Sequence, residues 1–382
     1  MKNKIRRVGL CALLMLSVIL AGFVGEASQV TDSARVVTVM TYNVDEGTDL
    51  APVLSATTLE ELARAVAEVY LEVQASNIPE RAAGIARQIE ATRPDLIGLQ
   101  EVSTWQTGPL GSPPATTVQF DALQSLLDEL KKRNLCYAPI AKSTNLEAEA
   151  PSALGFDVRL TDFDVVLARA DLSASALKIL DVQTHRFNTV LTFTNPVLGT
   201  VTVPRGWISV DAKIRGKSFR FITTHLESFS TLVQIAQANE LTQGPANTEL
   251  PVVFAADFNS DATSSDPIQS AAYRILLGAG FIDVWSKAHP SDPGFTWPLH
   301  GEDPFTPVST PNQRIDLVLA RGEFGVLGAR LIGNNQLTDL TPSGLWPADH
   351  AGVVAILRID GNVVDPPEAM ETDSETGSGF KR

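Results

Sequence analysis

Apolar positions along this chain switch repeatedly between a spacing of two and a spacing of three to four. Residues 35–41, rich in Val and Thr, read as a first strand, and 57–73 as a helix with Leu59, Leu62, Ala63, Val66, Val69 and Tyr70 on one face. A second helix opens with Asn77 as its cap and Pro79 in its first turn, and buries Ile85 and Ile89. It stops at Pro94-Asp95, where the strand 95–99 begins. A third helix, 120–132, carries Leu123, Leu126, Leu127 and Leu130 at helical spacing. The pattern then turns strand-rich. Residues 162–168, 201–203, 207–213 and 218–224 read as extended, the last two joined as a hairpin at Arg215-Gly216-Lys217. Helices at 232–241 and 268–277 alternate with strands at 252–255, 315–320 and 352–357. This mixture predicts an α/β (α+β) protein with two packed central sheets flanked by helical layers.

Polar residues punctuate the ends of those strands. The apolar run 251–255 leads directly into Ala256-Asp257-Phe258-Asn259. A carboxylate and a carboxamide two residues apart leave such a strand on the same side. Similar groups occur at Asn43-Val44-Asp45, Gln100-Glu101, His225, Arg314-Ile315-Asp316 and Asp349-His350. Phosphate ester hydrolysis needs a cation, an oriented water and help for the leaving oxygen. Glu101 offers a hard oxygen ligand suited to Mg²⁺, with Asn43 and Asp45 to complete or support the site. Asp257 would orient and deprotonate water, and Asn259 would donate to the phosphoryl oxygens. His350 needs its tautomer fixed, for which Asp316 is the natural partner, and His225 is a second donor or acid at the phosphate. His185, His289 and His300 fall in loop-like sequence. Zinc spacing, a Gly-x-Ser-x-Gly elbow and a phosphate-binding Gly-Lys loop are all absent from the sequence.

Length and charge narrow the context. A chain of 382 residues with 44% apolar content can bury a large core, and no repeat or internal linker divides it. Lys2, Lys4, Arg6 and Arg7 precede an apolar or small run from Val8 to Val24, and Gly25-Glu26-Ala27 supplies small residues for cleavage. Residues 1–27 therefore read as a removed export signal, with a retained membrane anchor as the alternative, and the mature chain as secreted or periplasmic without a membrane span. Their loss removes four basic side chains and Glu26, taking the formal charge from -14 to -17. It also leaves Cys136 as the lone cysteine, without a partner for an internal disulfide. Such acidity argues against a stable nucleic-acid complex, whose affinity rests on Lys and Arg, but not against a nuclease with a bound cation. Residues 361–382 form an acidic tail almost free of large apolar residues, expected to be disordered. The catalytic unit is placed at 35–360.

Taken in order, these motifs resemble the endonuclease/exonuclease/phosphatase superfamily, over about Val36 to Leu357. The resemblance implies a four-layer α/β sandwich with its site at one edge of two packed sheets. It implies Mg²⁺, with Mn²⁺ or Ca²⁺ as alternatives, near Asn43, Glu101 and Asp349, and Asp45 matches a residue of abasic-site endonucleases. It assigns water and phosphate to Asp257 and Asn259, orientation of His350 to Asp316, and metal or water contacts and phosphate binding to the pair Asp349-His350, while His225 resembles a histidine shared by deoxyribonuclease-like and sphingomyelinase-like members. The chain departs from the family at Ala256, where Gly is usual and an added methyl would crowd a close backbone approach, and at Ala348, where a Ser hydroxyl is lost.

Substrates of that superfamily include nucleic acid, phospholipid headgroups and phosphorylated inositols. Arg159, Arg169, Arg186 and Arg205 are candidates for nucleic-acid contact without forming a dense cluster. Phe295-Thr296-Trp297-Pro298-Leu299 and Trp346 are candidates for a lipid surface, or fold back over the core. The insertion 49–77 shapes the cleft or packs outside it. The leading expectation is a Mg²⁺-dependent phosphodiesterase or nuclease. A phosphomonoesterase or a phospholipase C-like, sphingomyelinase-like hydrolase is the alternative, and a silent phosphate-binding member stands outside catalysis.

Overall fold

The computed structural model describes residues 35–300 and 310–360. The expected export signal at 1–27 and the acidic tail at 361–382 lie outside the described residues. Strand β1 (Val36–Asn43) alternates its side chains between two apolar layers: Val37 and Val39 face one, Met40 and Tyr42 the other. It pairs in parallel with β2 (Leu96–Gln100) and antiparallel with the last strand, β16 (Gly352–Ile359). The parallel pairing requires a crossover. The helices α1 (Ala51–Ser55), α2 (Leu59–Ala75) and α3 (Ile78–Thr92) provide it.

One sheet of eight strands runs β15-β16-β1-β2-β6-β3-β4, with β5 paired to β6. Its other members are β3 (Thr104–Pro109), β4 (Thr117–Asp121), β5 (Tyr137–Pro151), β6 (Phe156–Arg169) and β15 (Phe324–Ile332). A second sheet of six strands runs β13-β14-β12-β11-β10-β7. It contains β7 (Leu177–Arg186), β10 (Gly206–Ile214), β11 (Lys217–Thr224), β12 (Val252–Asp257), β13 (Ile282–Asp283) and β14 (Asp316–Arg321). A separate hairpin pairs β8 (Leu191–Asn195) with β9 (Gly199–Val203). The remaining helices are α4 (Ala122–Lys132), α5 (Thr231–Gln243), α6 (Ala271–Gly278) and α7 (Val284–Ala288).

Three apolar clusters bind four layers together. Between the sheets, Val39, Leu96, Val166, Val210, Phe221 and Val253 interdigitate. Outside the first sheet, Ile97, Leu99 and Val165 pack on Leu62, Val66, Ile85 and Leu126. Outside the second, Ile222, Phe254 and Leu317 pack on Ala238, Leu241 and Leu276. The expected α/β sandwich is thus observed.

Several local expectations need correction. Leu59, expected on the buried face, is 71% exposed because it opens the first turn of α2, beyond the packed stripe. Thr58 caps that helix by accepting from Glu61 N. Asn77 adopts a left-handed backbone and makes no side-chain cap bond, its amide going instead to Glu80. Strands β3, β4, β5, β7 and β15 escape the alternation rule. In β5 the period is broken by register shifts at Pro139/Ala141 and Thr144/Leu146, so one face cannot be read as continuous. Trp346 and Leu299 fold back into a small buried cluster with Ala351, which removes them as a lipid-facing surface.

The sheets approach closely where Gly98 of β2 faces Thr223 and Ala255. A Cβ there would collide with the Thr223 hydroxyl and lie 2.8 Å from the Ala255 carbonyl oxygen. Gly98→Ala should therefore destabilise the fold by about 1–3 kcal/mol. The check is a lower urea midpoint at unchanged denaturant slope.

Candidate active site

Parallel strands β1, β2, β11 and β12 end, and antiparallel β14 and β16 begin, at one edge of the two sheets. That topology gathers Asn43, Glu101, His225, Asp257, Asp316, Asp349 and His350 from a sequence span of over three hundred residues. Asp45, Glu101 and Asn259 hold φ of 61°, 56° and 48°, a left-handed turn immediately beyond each strand. Non-glycine residues rarely tolerate this unless their surroundings hold it, and such sites cluster at functional positions.

Asp257 sits at the centre, fully buried. Its Oδ2 accepts from Asn43 Nδ2 at 3.1 Å, and its Oδ1 accepts from the Asn259 backbone N–H at 2.9 Å. Two histidines flank it: His225 Nε2 lies 3.5 Å and His350 Nδ1 4.0 Å from Oδ2. Burial, then repulsion from Asp316, raises its pKa to about 6. Asn43 also donates to Glu101 Oε1 at 2.8 Å, and Glu46 N–H donates to Glu101 Oε2 at 3.1 Å.

The two histidines sit in opposite electrostatic surroundings. Arg205 Nη1 lies 2.8 Å from His225 Nδ1, and a guanidinium can only donate. His225 Nδ1 therefore accepts, its proton sits on Nε2, and the ring is neutral. Burial, followed by the Arg205 and His350 charges, holds its pKa well below the usual value. His350 Nδ1 donates to Asp316 Oδ2 at 2.8 Å. Burial would lower its pKa, but Asp316, Asp349 and Asp257 together outweigh that and hold it well above normal.

Asp349 accepts from Trp297 Nε1 at 3.2 Å, and its Oδ1 is buried without a hydrogen-bond partner. Asn259 is committed in part, donating from Nδ2 to the Leu226 carbonyl at 3.0 Å. Asp45 Oδ2 pairs with Arg81 Nη1 at 3.1 Å, and its Oδ1 accepts from Gly47 N–H at 2.6 Å. Buried Arg81, on α3, also donates to the carbonyls of Val44, Asp45 and Pro347, joining the segment after Asn43 to the one before Asp349.

Sequence reasoning gave Arg205 only a nucleic-acid role and missed Glu46 and Arg81. The one signal for Arg205 is its position before β10, whose first residues lie at this edge beside Thr224. Arg159 and Arg169 are spent on Glu147 and Asp171, and Arg186 is exposed on β7. His185 lies exposed against Trp207, and His289 bonds the Ala329 carbonyl. His300 lies close enough to Asp349 to act on its carboxyl. Ala256 is an ordinary β12 residue paired with Leu317, its methyl buried in the outer apolar layer, so the expected crowding does not arise. Ala348 packs into the layer beneath α2 and α3.

The donor set fits a divalent cation. Asp257, Asp316 and His350 each offer a ligand atom, all within 4.8 Å of one another. His350 and Asp316 are also joined by their hydrogen bond. Nearby, burial and repulsion from Asp349 raise the Glu101 pKa to about 8, and Asp349 Oδ1 is unpartnered. A cation would relieve both penalties.

The sequence profile described as the Endonuclease/Exonuclease/phosphatase family matches residues 40–350. No curated protein matches the chain in sequence. Among solved structures, an endonuclease/exonuclease/phosphatase family protein from Bacteroides thetaiotaomicron aligns at 16% identity and TM-score 0.54, over 85% of this chain and 98% of that one. A mannosyl-6-phosphatase from the same organism aligns at 17% and 0.51, over 84% and 99%. D. rerio TDP2 complexed with a single strand DNA product aligns at 18% and 0.50, over 85% and 99%. At these identities the likeness concerns the fold.

Without metal, Glu101 binds more protons folded than unfolded between its ordinary value near 4.5 and about 8. Its contribution to stability is therefore present at low pH and lost as pH rises through that window. The melting temperature of Glu101→Gln minus that of the parent should grow from pH 5 to pH 8 in chelator and flatten when Mg²⁺ is added; a pH-independent difference would refute the assignment.

Proposed function

Because the chain belongs to the endonuclease/exonuclease/phosphatase family, we propose that it hydrolyses phosphodiesters with water, assisted by Mg²⁺. The observation that carries this reading is one buried carboxylate, Asp257, set between two buried histidines, one held by Arg205 and the other by Asp316. Asp257 is held from both sides by Asn43 and the Asn259 amide, leaving it to orient an attacking water and accept its proton. His350, fixed through Nδ1 by Asp316, presents Nε2–H to a phosphoryl oxygen, and His225 presents Nε2–H beside it. Neither donor has to reorganise as charge develops. Arg205 locks the His225 tautomer. Asn259, half-buried at the cleft, keeps its second amide hydrogen for the same oxygens.

Glu101 and Asp349, with Asn43 beside them, are the residues assigned to the cation, which when bound supplies charge neutralisation at the phosphoryl oxygens. Asp45 supports this set through Arg81 and the Asn43 side chain, whose Oδ1 accepts from Asp45 N–H at 3.0 Å. The substrate class of the DNA-bound TDP2 structure and of the phosphatase lies within the same chemistry. Export of residues 28–382, with 35–360 as the catalytic unit, completes the proposal. Among the described residues no helix is long and apolar enough to cross a membrane.

Matched chromogenic phosphodiester and phosphomonoester substrates, with Mg²⁺ or chelator, test the reaction. Turnover should favour the diester and require metal, and His350→Ala should lower kcat by about 10²-fold or more. Unchanged metal-dependent turnover in pure Asp257→Ala protein would show the site to be misassigned. Protein recovered from outside the producing cell should begin near Ser28; an intact Met1 there would count against a cleaved signal.

A further inference from the structure

Two insertions grow from the catalytic edge, one from each sheet, and meet. In the first sheet, the chain leaves Asn43, passes Asp45 and Glu46, and forms the short helix α1. In the second, β7 ends at Arg186 opposite Gly206, where β10 starts, and the β8–β9 hairpin fills the interval between them. Arg205, which touches His225, is at the foot of that hairpin.

The hairpin is anchored at both ends. At its base, Asn188 and Thr189 donate their backbone N–H groups to Glu240 of α5 at 2.8 and 2.9 Å, and Gln237 donates to the Thr189 carbonyl at 3.1 Å. At its far end, Asn195 is only 4% exposed and uses its whole amide. Its Nδ2 donates to the carbonyls of Leu54 and Ala56, both at 2.9 Å, and its Oδ1 accepts from Val197 and Leu198 at 2.7 and 2.8 Å. Half-buried Val197 packs on the same apolar layer as Leu50 and Val53. A buried amide satisfied at every position strongly specifies one geometry. The path from α5 along the hairpin to α1 is therefore a fixed wall, with Arg205 and Glu46 at its two feet.

We infer that the Asn195 clasp closes one flank of the catalytic edge. The cleft then admits a compact phosphodiester or the terminal ester of a strand, and excludes a continuous strand that must run past the site in both directions. This inference rests on the phosphodiesterase reading above and narrows its substrate. Discrimination comes from steric exclusion, so it shows as a difference between substrates and not as a loss of chemistry.

The full chain, Asn195→Ala and Val197→Asp would each be assayed with Mg²⁺ on three probes: bis(p-nitrophenyl) phosphate, a linear single-stranded oligonucleotide, and the same oligonucleotide ligated into a circle. The parent should cleave the circle at least about tenfold more slowly than the linear strand, and either variant should shrink that ratio severalfold while changing small-diester turnover less than about twofold. Equal cleavage of circle and linear strand by the parent would overturn the wall, as would variants that leave the ratio unaltered. If the parent leaves both DNAs intact but hydrolyses the small diester, gain of DNA turnover in a variant upholds the wall and its absence overturns it. Loss of all metal-dependent small-diester turnover in the parent would instead sink the phosphodiesterase reading, and this inference with it.

Discussion

A carboxylate buried between two sheets must be satisfied by both, and the rest of the site follows from how Asp257 meets that demand. From the first sheet comes Asn43; from its own sheet come His225 and the turn carrying the Asn259 amide. Directly alongside, a polar relay crosses the same gap, Thr41 Oγ1 to Gln100 Oε1 at 3.1 Å and Gln100 Nε2 to Thr223 Oγ1 at 2.9 Å. An unpaired polar group here would cost more than the net worth of a typical hydrogen bond, so the sheets cannot slide relative to each other without losing several bonds together. The missing side chain of Gly98 allows that approach.

Charge is partitioned on this frame. Arg205 stands on the His225 side, while Asp316 and Asp349 stand on the His350 side, so two identical residue types acquire opposite character. Such divergence of paired titratable groups is how one site can offer several kinds of proton donor at one pH. Arg81 extends the frame outward, its donors holding backbone carbonyls on both sides of the cleft.

The strand-end residues were legible in sequence because an apolar run has few reasons to stop on Asp, Asn or His, and several such stops in order are informative. The layered core was legible for the same reason, since Val37 and Val39 alternate with Met40 and Tyr42 in plain view. What escaped was held by single residues acting across long separations. Arg205 is marked only by its place before β10, and nothing near Arg81 or Asn195 marks them, because their partners include backbone carbonyls far along the chain. Strand β5 escaped through its bulges, and the pairing of Asp45 with Arg81 escaped because it joins a loop residue to a separate helix.

The pairing of β1 with β16 sets the first described strand beside the last. Asn43 is synthesised early, whereas His350 arrives only when nearly the whole fold has emerged. Until β16 docks, Asp257 lacks its neighbour His350 and the cleft lacks one wall. A chain cut short, or still being made, holds most of the chemical groups yet cannot bring them together. The proposed chemistry is thereby tied to the docking of β16 beside β1, which sets His350 against Asp257.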